Sequence, residues 1–154
     1  MIDIIKTTPY TDQKMGTAGL RKKSQVVSQP NYFENFVQSI FNVINPAGKT
    51  YVIGGDGRFY NEIAIQKLIK MAAANGVKKL IVGQNGYLST PASSNIILKN
   101  HTDGGFVLTA SHNPGGPNGD FGIKFATETG GQCSNTISNQ IFEQTKNINE
   151  YKIL

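Results

Sequence analysis

The chain has 154 residues, of which 38% are hydrophobic and 16% are charged, with a formal net charge of +5 at pH 7. This length and composition predict one globular domain over residues 1–154 and exclude disordered and fibrous classes. The positive charge favours an anionic ligand, and since no common nucleic-acid-binding motif is present, a small phosphorylated molecule is favoured over nucleic acid.

The amino-terminal part of the chain contains one strong helix pattern. Residues 1–13 show little periodicity and are expected to lie extended on the surface, without the pattern of a signal peptide. Hydrophobic residues recur at helical spacing between Phe33 and Ile44, which predicts an amphipathic helix over roughly 31–45. Its aromatic residues are interpreted as core. The apolar run 51–53 then predicts a buried strand.

The rest of the chain alternates strand and helix patterns. Short apolar runs predict strands, while capping residues, a proline in a first turn and a glycine after a last turn mark helix ends. The predicted elements are a helix capped by Asn61 and stopped at Gly76, a strand over 79–83, a helix from Thr90 to about Lys99, a strand over 106–110, a strand over 121–126, and a helix capped by Ser134. The strand over 121–126 is expected to return beside the preceding one as a hairpin arm.

Strands that alternate with helices predict the α/β class. Parallel strands with right-handed crossovers and helices on both faces make a three-layer α/β/α sandwich. The hairpin arm is expected to add an antiparallel edge, which makes the sheet mixed and mostly parallel. Ligands of such sheets bind outside the carboxyl ends of the strands.

The cysteine content and the hydropathy bear on the compartment. Cys133 is the only cysteine, which excludes an internal disulfide and favours a reducing compartment. No apolar run is long enough to cross a bilayer. We therefore expect a cytoplasmic protein without membrane insertion.

A loop rich in turn residues follows the strand over 106–110. Ser111 is followed within residues 112–119 by a histidine, two asparagines, two prolines and three glycines. Proline restricts the turn, while glycine lets backbone come close to a ligand. An exposed hydroxyl surrounded by backbone N–H groups and an imidazole suits a phosphate group.

Two other glycine-containing segments allow structural or functional interpretations. Residues 16–23 end in three consecutive cations, which is typical of a solvated turn, or of a phosphate-binding turn in which Arg21 is the forked donor. Residues 54–58 lack the GxGxxG order of a dinucleotide-binding loop. We interpret Arg58 as a residue that orders the domain or its interfaces and place it outside the catalytic set.

Four segments resemble the alpha-D-phosphohexomutases, and among them most closely the phosphoglucomutases. They occur in the order found in that family: 16–23, 54–58, 109–116 with the sequence Thr-Ala-Ser-His-Asn-Pro-Gly-Gly, and 121–125. Ala18 stands where serine is more usual, which puts one phosphate contact in doubt. The matching segments cover only the first of four domains of the family's enzymes. The resemblance therefore implies that the chain is that domain and that the remaining domains are absent from it.

The resemblance also implies a reaction and roles for several residues. Ser111 would carry a phosphoryl group, pass it to a sugar phosphate to form a bisphosphate, and recover the other phosphate, which interconverts glucose 1-phosphate and glucose 6-phosphate. Lys124 would act as general acid–base, His112 would hydrogen-bond the phosphate or the sugar, and Arg21 would stabilise charge on the transferring group. Phosphate or substrate contacts are implied for Thr17, Arg21, Lys22, Asn113 and Lys124. We expect Arg21, Lys22 and Lys124 to converge on one positive face, and Asn113 to brace the loop through bonds to backbone.

Cofactors and partners follow from the same resemblance. The family uses Mg²⁺ held by the seryl phosphate and by an Asp-Gly-Asp-x-Asp-Arg loop, and that loop is absent from this sequence. Ser111, through its phosphate, is the one metal ligand that can be assigned. Glucose 1,6-bisphosphate is expected as activator and intermediate. The partners are a phosphorylated hexose and the remaining domains of a parent enzyme, so the chain alone is expected to lack turnover.

Two alternatives stay open at the level of the sequence. The parent could be a phosphomannomutase, although the Gly-Gly pair after Pro114 favours glucose. It could also be a non-catalytic phosphoprotein in which Ser111 is a switch read by partners, as proposed for exocytosis-related members of the family.

Overall fold

The structure is a computed structural model that describes residues 1–16 and 19–154. Within these residues it contains a five-stranded sheet, a two-stranded sheet and five helices. The strands are β1 (Asp3–Lys6), β2 (Leu20–Lys23), β3 (Thr50–Gly55), β4 (Lys79–Tyr87), β5 (Gly104–Leu108), β6 (Asp120–Thr127) and β7 (Glu150–Ile153). The helices are α1 (Ser24–Val27), α2 (Tyr32–Ile44), α3 (Asn61–Ala74), α4 (Thr90–Lys99) and α5 (Asn135–Asn147).

The larger sheet is mixed, as predicted. Its strand order is β2-β6-β5-β3-β4, with β3 parallel to both β4 and β5, and with β6 antiparallel to both β5 and β2. Four of its five described strands therefore run in one direction and β6 opposes them. The hairpin arm was expected at the edge of the sheet, and this was wrong. β2, which the sequence patterns did not indicate, pairs with the open side of β6 and takes the edge position.

Helices cover both faces of the sheet, which confirms the three-layer sandwich. On one face, α2 contributes a row of fully buried side chains, and its Phe41 meets Phe106 of β5 edge to face with ring centroids 5.6 Å apart. Burying one such side chain contributes about 1.5–3 kcal/mol. On the other face, Gly105 lets α4 pack closely, because a Cβ there would lie 3.1 Å from Ile97 Cδ1.

The helix ends agree with the predictions except at α3. Ser134 caps α5 by accepting a hydrogen bond from the Ile137 N–H at 3.3 Å. Asn61, predicted as a cap, is instead the first residue of α3, and Tyr60 stands before it with φ +76°. The Asn61 side chain is 3% exposed. It is buried rather than turned toward the first-turn N–H groups, so it cannot cap the helix.

The two ends of the chain form a sheet of their own. β1 and β7 pair in antiparallel register from Asp3 opposite Ile153 to Lys6 opposite Glu150. Residues 1–13 were expected to lie extended on the surface, with no strand partner named for them, and β7 was not predicted at all. Strand partners so far apart in sequence leave no local pattern that would reveal them.

One close contact between β5 and β6 positions the serine loop. Gly122 of β6 passes against the backbone that follows β5, so that a Cβ there would overlap the Thr109 carbonyl oxygen and lie 3.1 Å from Ala110 Cα. Because both neighbours are backbone atoms, no side chain can rotate away to make room.

We therefore expect Gly122→Ala to lower the free energy of unfolding by about 1–3 kcal/mol, the range for overpacking. Urea denaturation of the purified chain measures it. Gly131→Ala is the matched control, because its Cβ would meet only Thr129 Oγ1, at 3.5 Å. Equal stability of the two variants would contradict the proposed backbone contact.

Candidate active site

Ser111 lies at the point where the chain leaves the carboxyl end of β5. Thr109 and Ala110 are buried, and Ser111 is the first exposed residue after the strand. Its φ is +55°, a left-handed conformation that is uncommon for any residue except glycine. The turn is closed by the Asn113 N–H, which donates to the Ala110 carbonyl at 3.1 Å. The serine side chain is therefore presented to solvent at the rim of the sheet.

Lys124 of β6 reaches the hydroxyl of this serine. Along β6, Ile123 and Phe125 are buried in the core, so Lys124 between them points to the opposite face. It lies opposite Val107 in the sheet register. Its Nζ donates a hydrogen bond to Ser111 Oγ over 3.1 Å. Lys124 and Ser111, which lie apart along the predicted hairpin, are thus in contact in the structure.

Arg21 joins the same face from β2. It lies opposite Gly122 in the antiparallel register, which places its side chain on the face that carries Lys124. Its Nη1 donates to Asn113 Oδ1 at 3.3 Å. Asn113 Nδ2 in turn donates to Asp120 Oδ2 at 2.7 Å. Asn113 was expected to brace the loop by bonding backbone, but its amide bonds these two side chains instead.

The other predicted site residues are placed differently. His112 is exposed beside Ser111 in the loop. Lys22 lies one position along β2 from Arg21, so strand alternation turns it to the other face, where it forms an ion pair with Asp12 at 3.4 Å. The expected convergence of Lys22 with Arg21 and Lys124 is therefore not met. Thr17 and its neighbour Ala18 lie outside the described residues.

The electrostatic surroundings of Lys124 favour loss of its proton. Partial burial lowers the pKa of the Lys124 ammonium, the nearby Arg21 guanidinium lowers it further, and the carboxylate of Asp56 opposes the shift. A lysine with a lowered pKa is a better proton acceptor near neutral pH.

Acidic residues balance part of the positive charge at this site. Lys23 approaches Asp120 Oδ1 at 3.0 Å. The hydrogen bonds from Lys23 and then from Asn113 lower the pKa of the Asp120 carboxyl. Asp120 is therefore ionised at neutral pH, and it holds the Asn113 amide that Arg21 also contacts.

Three residues at this site were not identified from the sequence as part of it: Asp56, Arg58 and Thr109. Arg58 is the most informative, because it was assigned a general structural role. Its side chain is only 9% exposed, and it donates to the carbonyl oxygens of Ser111 at 3.0 Å and Asn113 at 3.1 Å. The sequence did contain a signal for Arg58, because it follows β3, and residues that follow neighbouring parallel strands such as β3 and β5 meet at one edge of the sheet.

The described residues contain no group of three or more histidine, cysteine, aspartate or glutamate side chains that could hold a metal ion. The two carboxylates nearest the serine loop are already engaged. Asp56 pairs with Arg58 at 2.8 Å, and Asp120 pairs with Lys23. None of the described helices is long and apolar enough to cross a membrane.

Sequence comparison assigns the family. Residues 12–152 match the family described as phosphoglucomutase/phosphomannomutase, alpha/beta/alpha domain I. The chain belongs to this family. The strand order, the serine loop and the Lys124 contact described above therefore belong to a phosphoglucomutase/phosphomannomutase domain I.

Individual relatives agree with this assignment. The chain is 58% identical to a phosphoglucomutase of Rhizobium radiobacter over 154 residues, which cover 99% of this chain and 28% of that protein. It is 54% identical to a cytoplasmic phosphoglucomutase of Mesembryanthemum crystallinum over 158 residues, covering 97% of this chain and 27% of that protein. The crystal structure of the exocytosis-sensitive phosphoprotein pp63/parafusin (phosphoglucomutase) from Paramecium, in an open form, superposes with a TM-score of 0.95 at 46% identity. It is matched over 99% of this chain and 28% of its own. The chain thus spans less than a third of the length of these relatives.

The environment of Lys124 predicts how its titration depends on Arg21. Replacing Arg21 by glutamine removes a neighbouring positive charge, so the pKa of Lys124 should rise, while burial keeps it below the ordinary value for lysine. At a given pH the variant should hold less of the neutral amine. NMR titration of lysine side chains labelled with carbon-13, assigned with Lys124→Arg, measures the shift.

Lys22→Gln is the control for this titration, because its ammonium pairs with Asp12 away from the site. It should leave the pKa of Lys124 unchanged. A Lys124 pKa that is the same in Arg21→Gln and in the unaltered chain would contradict the electrostatic coupling.

Proposed function

We propose that this chain is the phosphoserine-carrying domain of a phosphoglucomutase, which interconverts glucose 1-phosphate and glucose 6-phosphate through glucose 1,6-bisphosphate. The observation that carries the proposal is the exposed Ser111 hydroxyl within 3.1 Å of the Lys124 ammonium, at the carboxyl end of β5. Relatives named phosphoglucomutase at 53–58% identity support glucose as the sugar.

In the proposed reaction, a phosphoryl group on Ser111 passes to a free hydroxyl of the bound sugar phosphate. The bond from phosphorus to Ser111 Oγ breaks and a bond from phosphorus to the sugar oxygen forms. Neutral Lys124 accepts the proton of the sugar hydroxyl and delivers a proton to Ser111 Oγ as it leaves. Its contact with Oγ and its lowered pKa support this role.

The bisphosphate must then return its other phosphate to Ser111 by the reverse of these steps. Lys124 now accepts the proton of the serine hydroxyl and donates one to the sugar oxygen. Phosphoryl transfer depends mainly on alignment and on neutralisation of charge. We assign neutralisation to Arg21, whose forked guanidinium suits phosphate oxygens, and a hydrogen bond to phosphate or sugar to His112. Thr17, Lys22 and Asn113 remain proposed contacts, with the placement of Lys22 the least favourable.

The residues that the structure describes do not form a complete site for Mg²⁺. Within the described ranges, the nearby carboxylates of Asp56 and Asp120 are bound to cations of the chain itself. We propose that this chain contributes one ligand, the phosphate of Ser111, and that the others come from outside it. A cytoplasmic location is proposed from the plant relative of that name.

A second function is favoured by one relative. The Paramecium protein, 46% identical over this chain, is described as an exocytosis-sensitive phosphoprotein as well as a phosphoglucomutase. In a signalling role, Ser111 would carry phosphate without turning over. A phosphomannomutase activity is the other alternative, since the family includes both enzymes.

Ser111→Ala in the full-length enzyme that contains this domain separates these possibilities. We expect kcat with glucose 1-phosphate to fall about 10³-fold or more, as when a nucleophile is removed. The control is Ser28→Ala, an exposed serine outside the loop. Unchanged glucose phosphate turnover in Ser111→Ala would contradict the mutase proposal, and faster turnover of mannose 1-phosphate by the unaltered enzyme would favour the phosphomannomutase.

Intact-mass spectrometry tests the phosphoryl carrier directly. The full-length enzyme incubated with glucose 1,6-bisphosphate should gain one phosphate, and Ser111→Ala should gain none. The 154-residue chain alone should turn over substrate at a negligible rate. Ordinary turnover by the chain alone would contradict its proposed dependence on further domains.

A further inference from the structure

The backbone on both sides of Ser111 is held by side chains from the segments that directly follow β3 and β5. The N–H of Ser111 donates to Thr109 Oγ1 at 3.0 Å, and its carbonyl accepts from Arg58 Nη2 at 3.0 Å. These bonds fix the peptide groups before and after the Ser111 Cα. Since φ and ψ are the rotations that relate those two groups, both are fixed, and with them the direction of the side chain.

Asp56 joins the two bonding side chains into one unit. Its carboxylate accepts from Arg58 Nε at 2.9 and 3.0 Å, and from the Thr109 hydroxyl at 2.7 Å. The hydrogen bonds from Arg58 and Thr109 outweigh burial and lower the pKa of the Asp56 carboxyl, so it is ionised at neutral pH. A threonine hydroxyl that donates to Asp56 is left to accept from the Ser111 N–H. We define Asp56, Arg58 and Thr109 as the serine clamp.

The clamp also spans the loop. Arg58 Nη1 donates to the carbonyls of Asn113 at 3.1 Å and Asp120 at 2.9 Å, so one guanidinium binds the beginning and the end of the loop. A planar, forked donor that is nearly buried loses little further side-chain freedom when it makes these bonds. Lysine, with a single ammonium, could not reach the same carbonyls.

The clamp bonds to Ser111 are all to its backbone. No clamp residue bonds the Ser111 Oγ, which instead accepts a hydrogen bond from Lys124 Nζ at 3.1 Å. Attachment of phosphate to Oγ therefore removes no clamp bond. The same geometry can hold the serine before and after each phosphoryl transfer.

From this geometry we propose that the serine clamp holds Ser111 in its left-handed conformation and thereby sets the distance between its Oγ and Lys124 Nζ. Arg58 and Thr109 are positioning residues, because they touch the serine backbone and not the transferred group, and Asp56 is one because it holds both of them. The proposal rests on the phosphoserine mutase function proposed above. If the clamp loosens, the loop relaxes to an ordinary φ and the Oγ moves away from the lysine.

Thr109→Val in the full-length enzyme tests the clamp, because valine keeps the shape of threonine and removes both hydrogen bonds. We expect kcat to fall on the order of 100-fold with little change in KM, the loss that a misplacement of about 1 Å at a reacting centre causes. Thr109→Ser retains the hydroxyl and should restore most of kcat. Arg58→Lys, which keeps the charge but loses the fork, should behave like Thr109→Val.

Thr145→Val is the matched control. Thr145 is also a buried threonine with a bonded hydroxyl, which donates to the Phe142 carbonyl in α5. It should change Tm by an amount similar to Thr109→Val but leave kcat unchanged. If Thr109→Val does not fold, the comparison is made between Arg58→Lys and the unaltered enzyme.

The outcomes separate the clamp from the function on which it rests. Turnover that survives Ser111→Ala overturns the proposed function. If Ser111→Ala is inactive but folded Thr109→Val or Arg58→Lys keeps the kcat of the unaltered enzyme, the clamp proposal alone is overturned. The clamp proposal is also overturned if Thr109→Ser loses as much kcat as Thr109→Val. A loss of kcat in Thr145→Val equal to that in Thr109→Val overturns it too, because a merely structural role of the threonine predicts both results.

Discussion

The place of β6 between β5 and β2 is the constraint on which the site depends. Because β6 runs antiparallel to both neighbours, its Lys124 lies alongside β5, the strand that leads to Ser111, and its other edge pairs with β2, which carries Arg21. Gly122 allows this approach, since any side chain at that position would meet the Thr109 carbonyl. Arg21 and Lys124, which are far apart in sequence, thus share one face of the sheet, and Ser111 lies at its rim beside Lys124.

The serine loop is bonded at its base by a charged pair, Arg58 and Asp56. Arg58 is nearly buried, and it is neutralised by Asp56 while its remaining donors are used by backbone carbonyls. Such an arrangement satisfies the requirement that a buried charge be paired and fully hydrogen-bonded. The loop can then present an exposed hydroxyl in an uncommon backbone conformation.

The same charges shape the chemistry at the rim. Arg21 and partial burial lower the pKa of Lys124, while Asp56 opposes that shift and belongs to the serine clamp. The Asp56 carboxylate therefore belongs to the group that contacts the Ser111 backbone, and it also raises the proton affinity of Lys124.

Local sequence patterns were sufficient to predict the structural elements that depend on residues close together in the chain. The helical spacing from Phe33 to Ile44, the serine cap at Ser134 and the alternation of strands and helices each depend on neighbours a few residues away, and each prediction was confirmed. Ser111 and Lys124 were singled out as functional residues because short segments of the sequence resemble a family. Their roles stay predictions, although the structure brings the two side chains into contact.

Only the tertiary structure decided which residues pair across long separations. β2 and β7 are short strands with polar residues, and nothing local distinguishes them until a partner satisfies their backbone groups. Lys22 and Arg21 are neighbouring cations in the sequence, but strand pairing sends one to Asp12 and the other to the site. Arg58 was interpreted as a residue that orders the domain or its interfaces, but its partners are defined only once β3 and β5 lie side by side, since the carbonyls it binds belong to a loop more than fifty residues away. Sequence determines the propensity of each segment, whereas pairing and register, which are properties of the whole sheet, determine what each side chain meets.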